Sequence, residues 1–188
     1  MQNYYLDIET NTEGRDGVDP FKDKIVTIQY CPFYEDSGKL KKSLTILKSW
    51  ESSEKDILEE FLTITGWKED PRSEWNFIPA GVNLKYDLIV IKNRSKELLN
   101  IKIPYKFLFH KIPRMELKTI LVMANRGKFK GSSFDKFSNK MTDGLSARNY
   151  IKVEDWDNLL KYINQEAEAF FEIYQKLLKG IPKLLPKL

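Results

Sequence analysis

The sequence predicts one α/β domain, a mixed five-stranded sheet flanked by helices on both faces, and three observations lead there. Short β-branched and aromatic runs alternate with stretches whose apolar residues recur at helical spacing. Three strand-like runs precede the first helical one, and strands and helices then alternate, which suggests a mixed sheet with helices on both faces. The 188 residues, 41% hydrophobic and 31% charged, are enough for one sizeable core and too ordinary in composition for a disordered chain.

Each element has its own warrant. Residues 3–8 are short, aromatic and followed by a polar run, which reads as a buried first strand. Residues 24–31 (KIVTIQYC) are β-branched and aromatic, a second strand stopped by Pro32. Asp36-Ser37-Gly38 has the composition of a hairpin turn, so residues 43–47 are a third strand. Ser53 opens a helix whose apolar face is Ile57, Leu58, Phe61, Leu62 and Ile64. Residues 66–76 are a polar connection, 77–82 a fourth strand despite Pro79, and 86–99 a second helix. Residues 107–110 read as the fifth strand, with helices over 116–124 and 132–141 and a loop from there to about 153. The longest helix spans 155–178, with Leu159, Leu160, Ile163, Ala167, Phe170, Phe171 and Tyr174 on its apolar side. The domain thus covers residues 1–178, and 179–188 form a basic tail. From 176 onward the chain has four lysines, two prolines and no acid.

Composition removes several chemistries. One cysteine, Cys31, leaves no internal disulfide and no cysteine-built zinc site. One histidine, His110, excludes any mechanism that needs two, and it reads as a structural residue. No stretch approaches the roughly 20 apolar residues of a membrane span, and residues 1–5 lack the pattern of a secretory signal. No membrane partner and a cytoplasmic location are therefore expected. The net charge of +4 is mild. Chemistry in this chain falls to carboxylates.

Three acidic constellations stand out. Asp7-Ile8-Glu9 ends the first strand; side chains at i and i+2 share a face, so Asp7 and Glu9 project together while Ile8 points into the core. Carboxylates about 6–7 Å apart by strand rise repel unless a cation lies between them. An isolated pair of this kind also fits a solvated strand end. Residues 81–88 (GVNLKYDL) sit where the fourth strand passes into a helix, a usual ligand position in α/β sheets, although Asn83 and Asp87 also fit a turn residue and a helix-start acid. On the last helix, Tyr162 and Glu166 are separated by one turn and face one way. Tyr150 and Glu154 offer the same spacing just before it, and Asp157 is a further nearby acid, whereas Asp155 suits the helix cap.

The order and spacing of these motifs resemble the DEDD 3′–5′ exonucleases of the ribonuclease H-like fold, in their tyrosine-containing, proofreading branch. The likeness rests on Asp-Ile-Glu-Thr at 7–10, Asn-Leu-Lys-Tyr-Asp-Leu at 83–88 and Tyr-x3-acid at 162–166, and spans residues 1 to about 178. The family has aspartate where this chain has Glu166. The resemblance implies that Asp7, Glu9, Asp87 and Glu166 hold two magnesium or manganese ions about 3.5–4 Å apart. It implies further that Tyr162 orients the attacking water. The reaction would remove nucleotides from the 3′ ends of single-stranded DNA or RNA. The alternative is a catalytically weakened nucleic-acid-binding module or accessory subunit that keeps the fold.

Residues 125–140 (NRGKFKGSSFDKFSNK) add a basic stretch. Arg126, Lys128, Lys130, Lys136 and Lys140 oppose only Asp135, so this segment carries the whole net charge of +4. Phe129, Phe134 and Phe137 are interleaved. Cations with aromatics suit a single strand, through phosphate neutralisation and base stacking, and a solvated loop with inward phenylalanines fits equally. Thr10, Asn83, Arg126, Lys128, Lys130 and Lys136 are the residues assigned to the nucleic-acid strand. Leu184, Leu185 and Leu188 in the tail offer a docking segment for a protein partner.

Overall fold

The computed structural model describes residues 2–15, 17–67, 76–138 and 144–180. Strands β1 (Asn3–Asn11), β2 (Lys24–Pro32), β3 (Thr45–Lys48), β4 (Ile78–Gly81) and β5 (Met115–Glu116) form one sheet in the order β3-β2-β1-β4-β5. The pairs β1–β2 and β2–β3 are antiparallel; β1–β4 and β4–β5 are parallel. Helices α1 (Glu54–Thr65), α2 (Leu84–Leu99), α3 (Leu117–Ala124), α4 (Gly144–Lys152) and α5 (Trp156–Gly180) cover it.

The period of two along β1 decides which helices cover which face. Leu6 and Ile8 point to one side and join Ile28, Tyr30 and the apolar faces of α1 and α2. Tyr5 points to the other side, where Cys31, Phe33 and Ala80 meet α3 and the α5 residues Phe170, Phe171 and Tyr174. A third cluster joins Val26 to Ala147 and Ile151 of α4 and Leu159, Tyr162 and Ile163 of α5. Each fully buried side chain of this size adds about 1.5–3 kcal/mol of burial energy.

Two local features bring β4 into α2 beside β1. A Cβ on Gly81 would stand 2.5 Å from the Leu6 carbonyl oxygen, so only glycine lets β4 run this close. Asn83 then turns the chain with φ of 58°, a left-handed conformation that asparagine tolerates better than most residues. No side chain caps α2 from that position; the cap comes from β5 instead.

Several sequence expectations need correction. Residues 107–110 are not a strand: Phe107–Lys111 is a π-helical turn, its Phe107 and Leu108 buried beneath α2. Apolar spacing alone does not separate a short strand from a buried turn. The fifth strand is β5, only two residues long and adjacent to α3. The loop expected up to 153 contains α4, so Tyr150 is helical too. In place of a helix over 132–141 there is a short 3-10 turn at Phe134–Lys136; residues 139–141 lie outside the described residues. β1 runs past its expected end through a register shift between Glu9 and Thr10. Residues 179–180, read as tail, continue α5, and 181–188 lie outside the described residues. As expected, Asp155 caps α5, accepting the Asn158 N–H at 3.2 Å.

Candidate active site

The carboxyl ends of the parallel strands β1, β4 and β5 open with the start of α2 into a cleft of about 720 Å³. Such ends are where open α/β sheets bind ligands. Its lining includes Asp7, Glu9, Asp87, Tyr162 and Glu166. Asp7, Glu9 and Glu166 each contribute a carboxylate oxygen to a group within 4.8 Å of one another, all three half-buried.

Every one of these side chains is aimed by a distinct device. Asp7 lies opposite Gln29 in the β1–β2 register, and the Gln29 amide donates to its Oδ2 at 2.7 Å. Gln29 is itself held by the Thr27 hydroxyl at 2.9 Å, with both residues fully buried. Glu9 follows on the same face. Asp87 stands in the first turn of α2, where its Oδ1 accepts the Ile8 N–H at 3.2 Å, just beyond the stretch of β1 that β4 pairs. Burial, and then the charge of Asp7, hold its carboxyl well above the usual range. Tyr162 and Glu166 are hydrogen-bonded one turn apart on α5. Burial first, then the charges of Glu9 and Glu166, push the Tyr162 phenol far above its ordinary value. Tyr162 therefore keeps its proton and acts as a donor. Cys31 lies sealed in the core with its thiol pushed up to about 12 by burial, which removes it as a nucleophile.

The competing acids stand elsewhere. Glu154 is exposed in the turn before α5, Asp157 is exposed in the first turn of α5, and neither lines the cleft. Tyr150 packs against the cluster that holds Val26, Ile151 and Leu159. Thr10 and Asn83 do line it; the Thr10 hydroxyl bonds the Tyr86 hydroxyl at 2.7 Å. Arg126, Lys128, Lys130 and Lys136 are exposed and line none of it, and Lys140 lies outside the described residues. Of the three phenylalanines, Phe134 is buried at the cleft, Phe137 packs against the core, and Phe129 is 68% exposed. His110 is exposed on the π-helical turn.

Sequence reasoning passed over other lining residues. Glu116 accepts the N–H groups of Asn83 at 3.0 Å and Leu84 at 2.9 Å and so caps α2 from the neighbouring strand. It also accepts Lys118 N–H at the start of its own helix, at 2.9 Å. The strand-to-helix reasoning applied to Asn83 would have flagged it had β5 been placed correctly. The cations of the cleft are Lys85, Lys118 and Arg148, the last on the helix read as a loop. Tyr86 donates to the fully buried Asp23 at 2.7 Å, and Asp23 is paired with Arg15, which fixes the loop between β1 and β2 at the cleft rim.

No family model matches the chain, and no curated protein does. Solved structures do. Exonuclease I of E. coli in complex with a dT13 oligonucleotide matches with a TM-score of 0.63 at 10% identity, covering 97% of this chain and 42% of that one. A complex of exonuclease I described as ExoI/SSB-Ct matches with a TM-score of 0.62, also at 10% identity, with the same coverage of 97% and 42%. The family B DNA polymerase of the archaeon Pyrobaculum calidifontis matches with a TM-score of 0.67 at 13% identity, covering 97% of this chain and 25% of that one. The chain thus spans about two fifths of the length of exonuclease I. At these identities the likeness is one of fold: a mixed five-stranded α/β sheet of the ribonuclease H-like kind. Among the described residues no helix is long and apolar enough to cross a membrane.

Proposed function

We propose that this domain is a metal-dependent 3′–5′ exonuclease that hydrolyses nucleotides from the ends of single-stranded DNA or RNA. The observation that carries the reading is the convergence of Asp7, Glu9 and Glu166 within 4.8 Å in a cleft also lined by Asp87 and Tyr162. Half-buried carboxylates this close repel, and a donor set made only of oxygen fits hard divalent cations. Asp7, Glu9 and Glu166, with Asp87 beside them, would hold magnesium or manganese. When bound, such ions supply Lewis acidity to the phosphoryl group and ease ionisation of water.

The chain's own groups do the rest. Tyr162, whose hydroxyl proton goes to Glu166, offers its phenol oxygen as the acceptor that orients the attacking water. Gln29 keeps the Asp7 carboxylate turned into the cleft. Lys85, Lys118 and Arg148 neutralise backbone phosphates as the strand enters. Val18, Pro20 and Phe134 give the terminal base apolar contact. A water oxygen bonds to the terminal phosphorus, the bond to the preceding 3′ oxygen breaks, and that oxygen takes up a proton. The alternative, a binding module without cleavage, rests on Glu166, whose side chain is one methylene longer than aspartate.

Digestion of 5′-labelled single strands in magnesium, in manganese and in EDTA tests the reading. A ladder shortening from the 3′ end with either metal, and none in EDTA, is expected. Tight binding without cleavage in every condition would select the binding module instead.

A further inference from the structure

The stretch from Ile101 to Arg114, between α2 and β5, carries Lys102, Lys106, Lys111 and Arg114 and no acidic residue. No residue of this stretch lines the cleft, and the basic segment at 125–138 is separate from it in sequence. Four of its apolar members are fixed in the core: Ile103, Phe107, Leu108 and Ile112 are all at most 4% exposed. The π-helical turn closes on itself through the Ile112 N–H to the Phe107 carbonyl at 3.0 Å. With those side chains inward, Lys102, Tyr105, Lys106, Lys111 and Arg114 face solvent.

The outward Tyr105 is already stacked, on the half-buried Phe109. The rings of Tyr105 and Phe109 lie 4.4 Å apart at 30°, and Tyr105 is half exposed. Arg114 covers the Phe109 ring at 5.5 Å and donates to the Phe109 carbonyl at 3.1 Å. Lys102 and Lys106 form no salt bridge among the described residues. A solvated loop has no need of a rigid aromatic stack beside Lys102, Lys106 and Arg114. A single strand needs both, since stacking holds its bases and cations hold its phosphates.

We infer that residues 102–114 form a second binding surface for single-stranded nucleic acid, outside the cleft, with Tyr105 as the stacking platform and Lys102, Lys106 and Arg114 as phosphate contacts. Resting on the nuclease reading for its ligand class, the inference concerns holding the strand and not cutting it. An acidic protein would use the cations alone and leave the aromatic pair idle.

The test is fluorescence anisotropy of the whole chain with a labelled oligo(dT) of about 20 nucleotides, longer than one site of this kind, in EDTA and across a salt series. K102Q/K106Q should weaken binding and lower the salt slope by about 0.7 per lost contact. Tyr105→Ala should weaken it about tenfold with the slope unchanged. Both variants should cleave a trinucleotide at the parental rate, since Lys102, Tyr105 and Lys106 follow the end of α2 opposite the one that lines the cleft. Parental affinity and slope in both variants would overturn the inference while leaving the nuclease reading intact. Loss in K102Q/K106Q but none in Tyr105→Ala would also overturn it, marking a general polyanion surface. An inactive parent whose binding still responds to both variants would defeat the nuclease reading alone.

Discussion

The two walls of the cleft hold their carboxylates by different means. On the strand wall two acids meet donors carried by the sheet: Gln29, opposite in register, for Asp7, and the Ile8 N–H for Asp87. On the helix wall Glu166 meets Tyr162, a partner on its own helix. The position of that pair follows from how α5 sits on the sheet through Ile163, Ala167 and Phe170. A side chain fixed by sheet pairing cannot move without breaking the ladder. One fixed by helix packing moves with a rigid body, so a longer side chain can be absorbed by a small difference in seating. This contrast explains how Glu166 reaches the same 4.8 Å group as Asp7 and Glu9.

The largest effect is expected on the strand wall. Asp7→Ala should abolish metal-dependent cleavage while the fold stays intact, because removing one of several repelling carboxylates relieves the apoprotein. Circular dichroism and a cleavage assay on the same sample check both halves. Cleavage at the parental rate would mean that the strand wall is not the reactive one.

On the helix wall the change should be smaller and of instructive sign. Glu166→Asp pulls the carboxylate back by about 1 Å, and a misplacement of that size costs up to about 100-fold. We expect at least a tenfold loss, about 1.4 kcal/mol of barrier, although the substitution matches the resembling family better. A gain in rate would show that α5 is seated for the shorter side chain.

How far each wall was legible in the sequence follows the same division. The strand motif could be read from the period of two, since Asp7 and Glu9 share a face wherever the strand lies. Asp87 was readable from the strand-to-helix junction and Tyr162–Glu166 from helical spacing. Gln29 was not, because its place opposite Asp7 depends on the β1–β2 register, which no local pattern declares. Glu116 was missed with β5, a strand of two residues whose pairing comes from tertiary contact alone. Arg148 went with α4, where the apolar positions are too few to announce a helix. The basic segment is a separate case: its charge is plain in the sequence, and its described cations, Arg126, Lys128, Lys130 and Lys136, stand outside the cleft.

The acid that joins the walls should also report through stability. Burial and Asp7 raise the Asp87 carboxyl, so the folded state binds this proton more tightly than the unfolded one. In EDTA its contribution is favourable at and below the ordinary value of about 4 and is lost as pH rises toward the raised value. Asp87→Asn should therefore gain melting temperature over the parent at neutral pH, with the gap closing toward about pH 4. A gap that does not vary with pH would contradict the assignment.

Smallest of all should be the effect of Lys128→Ala with Lys130→Ala. Both residues are exposed outside the cleft. Binding of single strands should weaken equally for all sequences, with the salt slope reduced by about 0.7 per lost contact. An unchanged slope would leave them as solvated surface.

Thermal melting of the metal-free protein with added magnesium or manganese asks most directly whether the two walls together form a cation site. A cation that binds only the folded state raises the midpoint in proportion to ln(1 + [L]/Kd). The parent should show a rise that grows with metal concentration, and Asp7→Ala should lose most of it. No rise in the parent at millimolar metal, or the same rise in both proteins, would contradict a metal centre built on Asp7, Glu9 and Glu166.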